Sequence, residues 1–204
     1  MTEPPIPARS RLDPAKTEGY RRVLLLGFMA SGKTVVGRRL AARLGWRHID
    51  LDREIESRAG RKVSQIFATD GEAAFRALEV SVTPSYLTLD RVILSPGGGW
   101  ITNPGLFEGL PPDTLTVWLK VSPAEVVRRA SSGFGAGTRP LLRDPDPLAR
   151  ATALLADREP LYRRARIAID TEGQAVEAIV HQLATIIHRG GDADDLGIKP
   201  QHGS

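Results

Sequence analysis

The sequence contains no cysteine, which excludes disulfide cross-links and thiolate chemistry and fits a reducing compartment. It contains no run approaching the roughly 18 apolar residues that a membrane-spanning helix needs, so no membrane partner is expected. The opening residues MTEPPIPARSRLDPAKTEGY are proline-rich and polar, without the apolar centre of a signal peptide. Residues 1–20 are therefore expected to form a disordered extension, and the polar, aperiodic residues 189–204 a disordered tail. Aromatic residues make up only 5% of the chain, and no basic run exceeds two residues. Both shortages argue against a nucleic-acid partner, which would need a stacking platform or a basic tract. His48, His181, His188 and His202 share no ligand spacing and are expected to be surface or packing residues. Lysine is scarce too, limited to Lys16, Lys33, Lys62, Lys120 and Lys199. The net charge of +4 therefore rests on arginine, whose planar fork suits phosphates and carboxylates.

What remains is a chain of 204 residues, with one domain expected over 21–188. Short apolar runs predict strands at 23–26, 47–51, 91–94, 115–119 and 167–169. Amphipathic patterns between them predict helices at 33–44, 53–58, 64–67, 72–86, 104–108, 124–130, 148–165 and 174–188. In the last, Val176, Ile179, Val180, Leu183 and Ile187 form one core-facing stripe. Alternation of strand and helix predicts an α/β fold, a parallel sheet with helices on both faces. The stretch 131-SSGFGAGTRPLLRDPDP-147 interrupts this pattern. A loop of this length with three glycines, in a compact domain, is expected to be either functional or disordered.

The residues 27-GFMASGKT-34 match G-x-x-x-x-G-K-[ST], directly after the expected strand 23–26 and before the expected helix 33–44. Glycines allow successive backbone N–H groups to form a concave nest for phosphate. Lys33 would add charge at the β- and γ-phosphates, and Thr34 a hydroxyl for magnesium. The motif predicts nucleotide binding without choosing among kinase, GTPase, motor or binder. The GTPase base-recognition sequence N-K-x-D is absent, and about 170 folded residues leave little room for a motor's coupling apparatus. A small-molecule kinase is the leading class. In an open parallel sheet the acceptor would lie beyond the carboxyl ends of the strands. There, Asp50 and Asp52 in 48-HIDLD-52 would project to one side of a strand. Read locally, each has an alternative, Asp52 as a helix cap and Asp50 as a solvated strand end. The turn 95-SPGGGW-100 would present bare backbone, and Arg76 would pair with Glu72 or Glu79 along a helix.

The chain resembles the shikimate kinases over about 21–188. The resemblance rests on 27-GFMASGKTVVGRRLA-41, 50-DLDREIE-56, 66-IFATDGEAAFRALE-79, 97-GGG-99, 139-RPLL-142 and 158-REPLY-162, in that order. It implies a nucleoside-monophosphate-kinase-like three-layer fold with a five-stranded parallel sheet and a mobile lid over about 131–147. It implies ATP:shikimate phosphotransfer, a step towards chorismate and the aromatic amino acids, by a monomeric cytoplasmic enzyme that uses ATP and magnesium. By position, Lys33, Asp52 and Arg139 would be catalytic, with Asp52 facing the shikimate hydroxyls. Ala30, Ser31, Gly32, Lys33, Thr34, Val35, Arg129, Arg139 and Gln174 would hold the nucleotide. Asp52, Arg76, Gly97, Gly98, Gly99 and Arg158 would hold shikimate, the two arginines at its carboxylate. Thr34 would bind magnesium, with Asp50 nearby through water. Three features depart from the family pattern: Ser95-Pro96 where Ala-Thr is usual, Ala30 at a frequent glycine, and a longer lid. The alternatives are a related P-loop kinase for another hydroxylated acceptor such as gluconate, and a non-catalytic nucleotide-binding module.

Overall fold

The computed structural model describes residues 19–132 and 144–190. Its elements run β1 (Arg22–Leu26), α1 (Lys33–Leu44), β2 (Arg47–Asp50), α2 (Leu51–Ala59), α3 (Val63–Thr69), α4 (Gly71–Leu87) and β3 (Val92–Ser95). They continue through β4 (Thr114–Lys120), α5 (Pro123–Ser132), α6 (Pro147–Tyr162), β5 (Ile167–Asp170) and α7 (Val176–His188). The strands pair in parallel in the order β2-β3-β1-β4-β5. Strands β2 and β3 lie on one side of β1, and β4 and β5 on the other. The crevice for a ligand opens beyond the carboxyl end of β1, where the order switches.

All five residues of β1 are buried. Its pleat sends Val23 and Leu25 into a core with α1 and α7, and Leu24 and Leu26 into a second core on the opposite face. Burial on both faces explains why the strand reads as a continuous apolar run. Leu40 and Leu183 complete the first core, and Trp100, Tyr162 and Leu94 the second. Each fully buried side chain of this size contributes about 1.5–3 kcal/mol. A satellite cluster of Ile55, Ile66, Phe75 and Val82 joins α2, α3 and α4 beside the sheet. Helix α1 presses closely on β2 and β3. A Cβ at Gly37 would come within 2.7 Å of the His48 ring and 2.8 Å of Ser95 Oγ, so a glycine is required there.

Most elements shift by one or two residues at an end, and four departures have a visible physical cause. The strand expected at 47–51 ends at Asp50, because the Asp50 carboxylate accepts from Arg53 N and starts α2 at Leu51. The helix expected at 104–108 is a series of turns, with Gly105 at φ 79. Helix α6 stops at Tyr162, where Arg164 N and Ala165 N bond only three residues back and tighten the chain. Helix α7 begins at Val176 rather than 174, after a turn with Gly173 at φ 67. At the amino end, Tyr20 already packs into the first core, one residue ahead of the expected boundary.

Candidate active site

The loop between β1 and α1 has the backbone of a phosphate cradle. Gly27 takes φ 142 and Gly32, the N-cap of α1, takes φ 94. At Gly27 an added Cβ would fall 2.5 Å from Leu119 O and 2.8 Å from Ser31 Oγ. Ala30 is left-handed at φ 59, at a cost of about 1–2 kcal/mol in a residue with a Cβ. Its carbonyl accepts from Arg129 Nη1 at 3.2 Å. Arg129 also donates to Thr171 Oγ1 and O, at 3.0 and 2.9 Å, and to Glu125 at 2.6 Å. It thereby ties α5 to the phosphate loop and to the loop after β5. A cavity of about 430 Å³ is lined by residues 30–36 of the phosphate loop and α1, together with Arg129, Thr171 and Gln174. Every nucleotide-side position expected from the sequence, other than Arg139, borders this one cavity. Arg139 lies outside the described residues, as does most of the expected lid.

Lys33 folds back over the loop, with Nζ donating to Gly27 O at 2.7 Å and Phe28 O at 2.9 Å. Burial lowers its pKa to about 8, opposed by the charges of Asp52 and Asp50. Thr34 Oγ1 donates to Asp50 Oδ2 at 3.0 Å. The reading of Asp50 and Asp52 as strand neighbours on one side is corrected. Asp50 ends the strand and caps α2, while Asp52 lies in the first turn of α2. The cap is thus Asp50, not Asp52. Both carboxylates nonetheless act on Lys33. Asp52 is mostly buried, and its Oδ1 has no hydrogen-bond partner among the described residues. Burial first, then the charges of Asp50 and Glu79, raise its pKa to about 6, against the opposing charges of Lys33 and Arg76.

The glycine turn 97–99 closes the other wall. A Cβ at Gly97 would fall 2.8 Å from Asp52 Oδ1, and one at Gly99 would overlap the Arg76 guanidinium. At Gly98 it would come 3.2 Å from Met29 N. The three glycines therefore let Asp52, Arg76 and the phosphate loop converge on bare backbone. Arg76 pairs with both Glu72 and Glu79, at 2.6 Å each. Glu79 is buried and also accepts from Asn103 Nδ2 at 2.8 Å, which fixes Arg76 in place. Arg158, on α6, lies 5.6 Å from the Phe28 ring centroid, and its charge lowers the pKa of Lys33. The charges of both Arg76 and Arg158 reach the Tyr162 hydroxyl, so both arginines lie in its neighbourhood.

Ser95, ahead of the glycine turn, faces α1. Its buried Oγ pairs with His48 Nε2 at 3.0 Å and donates to Lys33 O at 3.3 Å, under α1. Sequence reasoning missed Thr171, Phe28 and Tyr162. Nothing local marks Thr171 or Phe28. Tyr162 follows Arg158 by four residues on one helical face, a spacing that could have singled it out.

A phosphate loop on the central strand of a 2-3-1-4-5 parallel sheet, facing a carboxylate and two arginines, defines a P-loop small-molecule kinase. The family model for shikimate kinase matches residues 29–188. A shikimate kinase of Mycobacterium avium is 44% identical over 165 residues, covering 80% of this chain and 92% of its own. A structure of shikimate kinase from Acinetobacter baumannii in complex with shikimate superposes with a TM-score of 0.77 at 32% identity, covering 83% of this chain and 94% of that one. A gluconokinase from Sinorhizobium meliloti shares the fold alone, at 16% identity and a TM-score of 0.55 over 86% of this chain and 95% of that one. This chain belongs to the shikimate kinase family.

Proposed function

We propose that this chain transfers the γ-phosphoryl group of ATP to a hydroxyl of shikimate, giving shikimate 3-phosphate and ADP on the route to chorismate. The observation that carries the reading is the convergence of Lys33, Asp52, Arg76 and Arg158 around the glycine turn. Paired guanidinium groups match a planar carboxylate, which shikimate has and a neutral sugar lacks. ATP takes the cavity along the phosphate loop, its phosphates on the backbone N–H groups and the α1 amino end. Arg129, with most of its donors engaged in the plane of its guanidinium, offers a flat face beside the adenine, with Gln174 near it. Asp52 accepts the proton of the attacking hydroxyl, and its pKa near 6 leaves it ionised at neutral pH. Lys33 moves from the loop carbonyls to the β- and γ-phosphates, where its charge offsets that of the transferred group. Arg139 joins it in that task, on the strength of the family resemblance.

Magnesium fits the hard oxygen donors present, the Thr34 hydroxyl bonded to Asp50. No cluster of three or more acidic, histidine or cysteine side chains offers an all-protein metal site among the described residues. Thr34 would hold the ion and Asp50 would reach it through water, and the bound ion would neutralise phosphate charge. A monomeric, cytoplasmic enzyme without nucleic-acid or membrane partners belongs to the same proposal. The test is ADP release in a coupled assay with shikimate, gluconate and neutral sugars as acceptors. Turnover with shikimate at least a hundredfold above the others is expected. Turnover of gluconate or a sugar in its place overturns the assignment, and ATP binding without transfer to any acceptor favours a binding module.

A further inference from the structure

We propose that Tyr162 is a positioning residue of the acceptor site, bridging the Arg158 guanidinium to the backbone of Gly98. The inference rests on the shikimate reading above. Tyr162 ends α6 and is 1% exposed. Its hydroxyl donates to Gly98 O. Its ring stacks on Trp118, with centroids 5.9 Å apart and planes at 20°. One helical turn earlier on α6, Arg158 places its charge near the Tyr162 oxygen, on the same helical face, with its guanidinium 5.6 Å from the Phe28 ring centroid. A phenol carries one donor and two acceptor sites, so it can give to Gly98 and receive from Arg158 at once. Burial raises the Tyr162 pKa, so the donated proton stays in place throughout the working pH range.

The bridge fixes more than one wall. Gly98 is wedged between the Tyr162 hydroxyl and the phosphate loop at Met29. Its neighbours Gly97 and Gly99 lie against Asp52 and Arg76. Without the hydroxyl, the half-buried Gly98 carbonyl loses its donor and Arg158 loses the polar group beside it. The turn and the guanidinium then lose their common reference, while the phosphate loop keeps its own bonds to Lys33 and Arg129.

Tyr162→Phe keeps the ring and its stack and removes only the hydroxyl. The expected result is a shikimate KM raised about 5- to 30-fold, equivalent to losing one hydrogen bond made by a buried hydroxyl. The KM for ATP should stay within twofold, and the thermal shift induced by ATP should be preserved while that induced by shikimate shrinks. Trp118→Phe serves as the comparison, because it loosens the same core and leaves the hydroxyl in place. Its melting temperature should fall with the shikimate KM within twofold of wild type. A Tyr162→Phe enzyme with unchanged shikimate KM, or with both substrate KM values raised together, shows that Tyr162 only fills the core. A wild-type chain inactive on shikimate overturns the functional reading and this inference with it.

Discussion

Burial and the carboxylates of Asp50 and Glu79 hold the Asp52 pKa at about 6, above the 3.8 of a free aspartate. Because the folded value is raised, the ionised carboxylate destabilises the fold. The penalty is fully present above pH 6 and disappears as pH falls towards 3.8. A shift of that size corresponds to about 3 kcal/mol. Asp52→Asn should therefore melt several degrees higher than wild type at pH 7.5, and the gain should vanish by about pH 4. The same substitution removes the base, so kcat should drop about 10²- to 10⁴-fold while the ATP KM holds. In the wild type, kcat/KM for shikimate should decline as pH falls through about 6. Calorimetry across pH, with steady-state kinetics on both proteins, checks each part. A variant that is less stable at pH 7.5 and within twofold of wild-type kcat would make Asp52 a structural residue.

Two loops meet across the crevice, and their glycines serve different neighbours. At Gly27 an added methyl group would strike the backbone carbonyl of Leu119 on β4, and φ 142 is closed to alanine. The backbone cannot yield there, so Gly27→Ala should cost about 2 kcal/mol or more and weaken ATP binding at least tenfold. At Gly99 φ is −93, open to any residue, and the obstacle is the far end of the Arg76 side chain. Arg76 can move aside only by giving up its pair with the buried Glu79, so Gly99→Ala should lower melting and leave ATP binding near wild type. Its shikimate KM should rise about tenfold, because Arg76 leaves its place beside Glu79. Thermal melting and separate titrations of each substrate distinguish the two variants. Equal effects on both substrates from Gly99→Ala would contradict this division of labour between phosphate loop and glycine turn.

Across the whole molecule, the carboxyl ends of the strands carry chemistry and the amino ends carry stability. Arg22, at the start of β1, is buried, pairs with Asp113 and Asp90, and donates to Leu89 O at 3.0 Å. Arg22→Ala removes the buried side chain and its three partners, while Asp90 and Asp113 are exposed enough to turn to water, so it should destabilise by about 1–3 kcal/mol. Because it lies opposite the crevice, kcat and both KM values at 25 °C should stay within twofold. Arg158 behaves in the reverse way. Arg158→Ala should lower kcat/KM for shikimate about 30- to 1000-fold, with melting and ATP affinity little changed, since the substrate carboxylate loses a charged partner. Arg158→Lys should recover only part of that, because an ammonium lacks the fork. A loss of ATP affinity in Arg158→Ala would move Arg158 to the nucleotide side.

Elements whose physics is local can be read from the chain alone. The phosphate loop was legible because strand, glycines, lysine and helix lie within a dozen consecutive residues. Helix α1 was expected over the same residues that the structure shows, because its apolar spacing and the αL glycine at its end are local signals. The parallel sheet followed from the alternation of buried runs with helices. Which side chains share a space depends on long-range packing. Arg76 comes from α4 and Arg158 from α6, 82 residues later, and only the packing of those helices brings both charges near Tyr162. The division between Asp50 and Asp52 was equally out of reach. It depends on where β2 gives way to α2, and a single capping bond from Arg53 N decides it. Pairings such as Arg129 with Thr171 and Tyr162 with Gly98 join residues 42 and 64 positions apart. Chain spacing carries no signal at such separations, because the packing of the two sheet faces sets the distance.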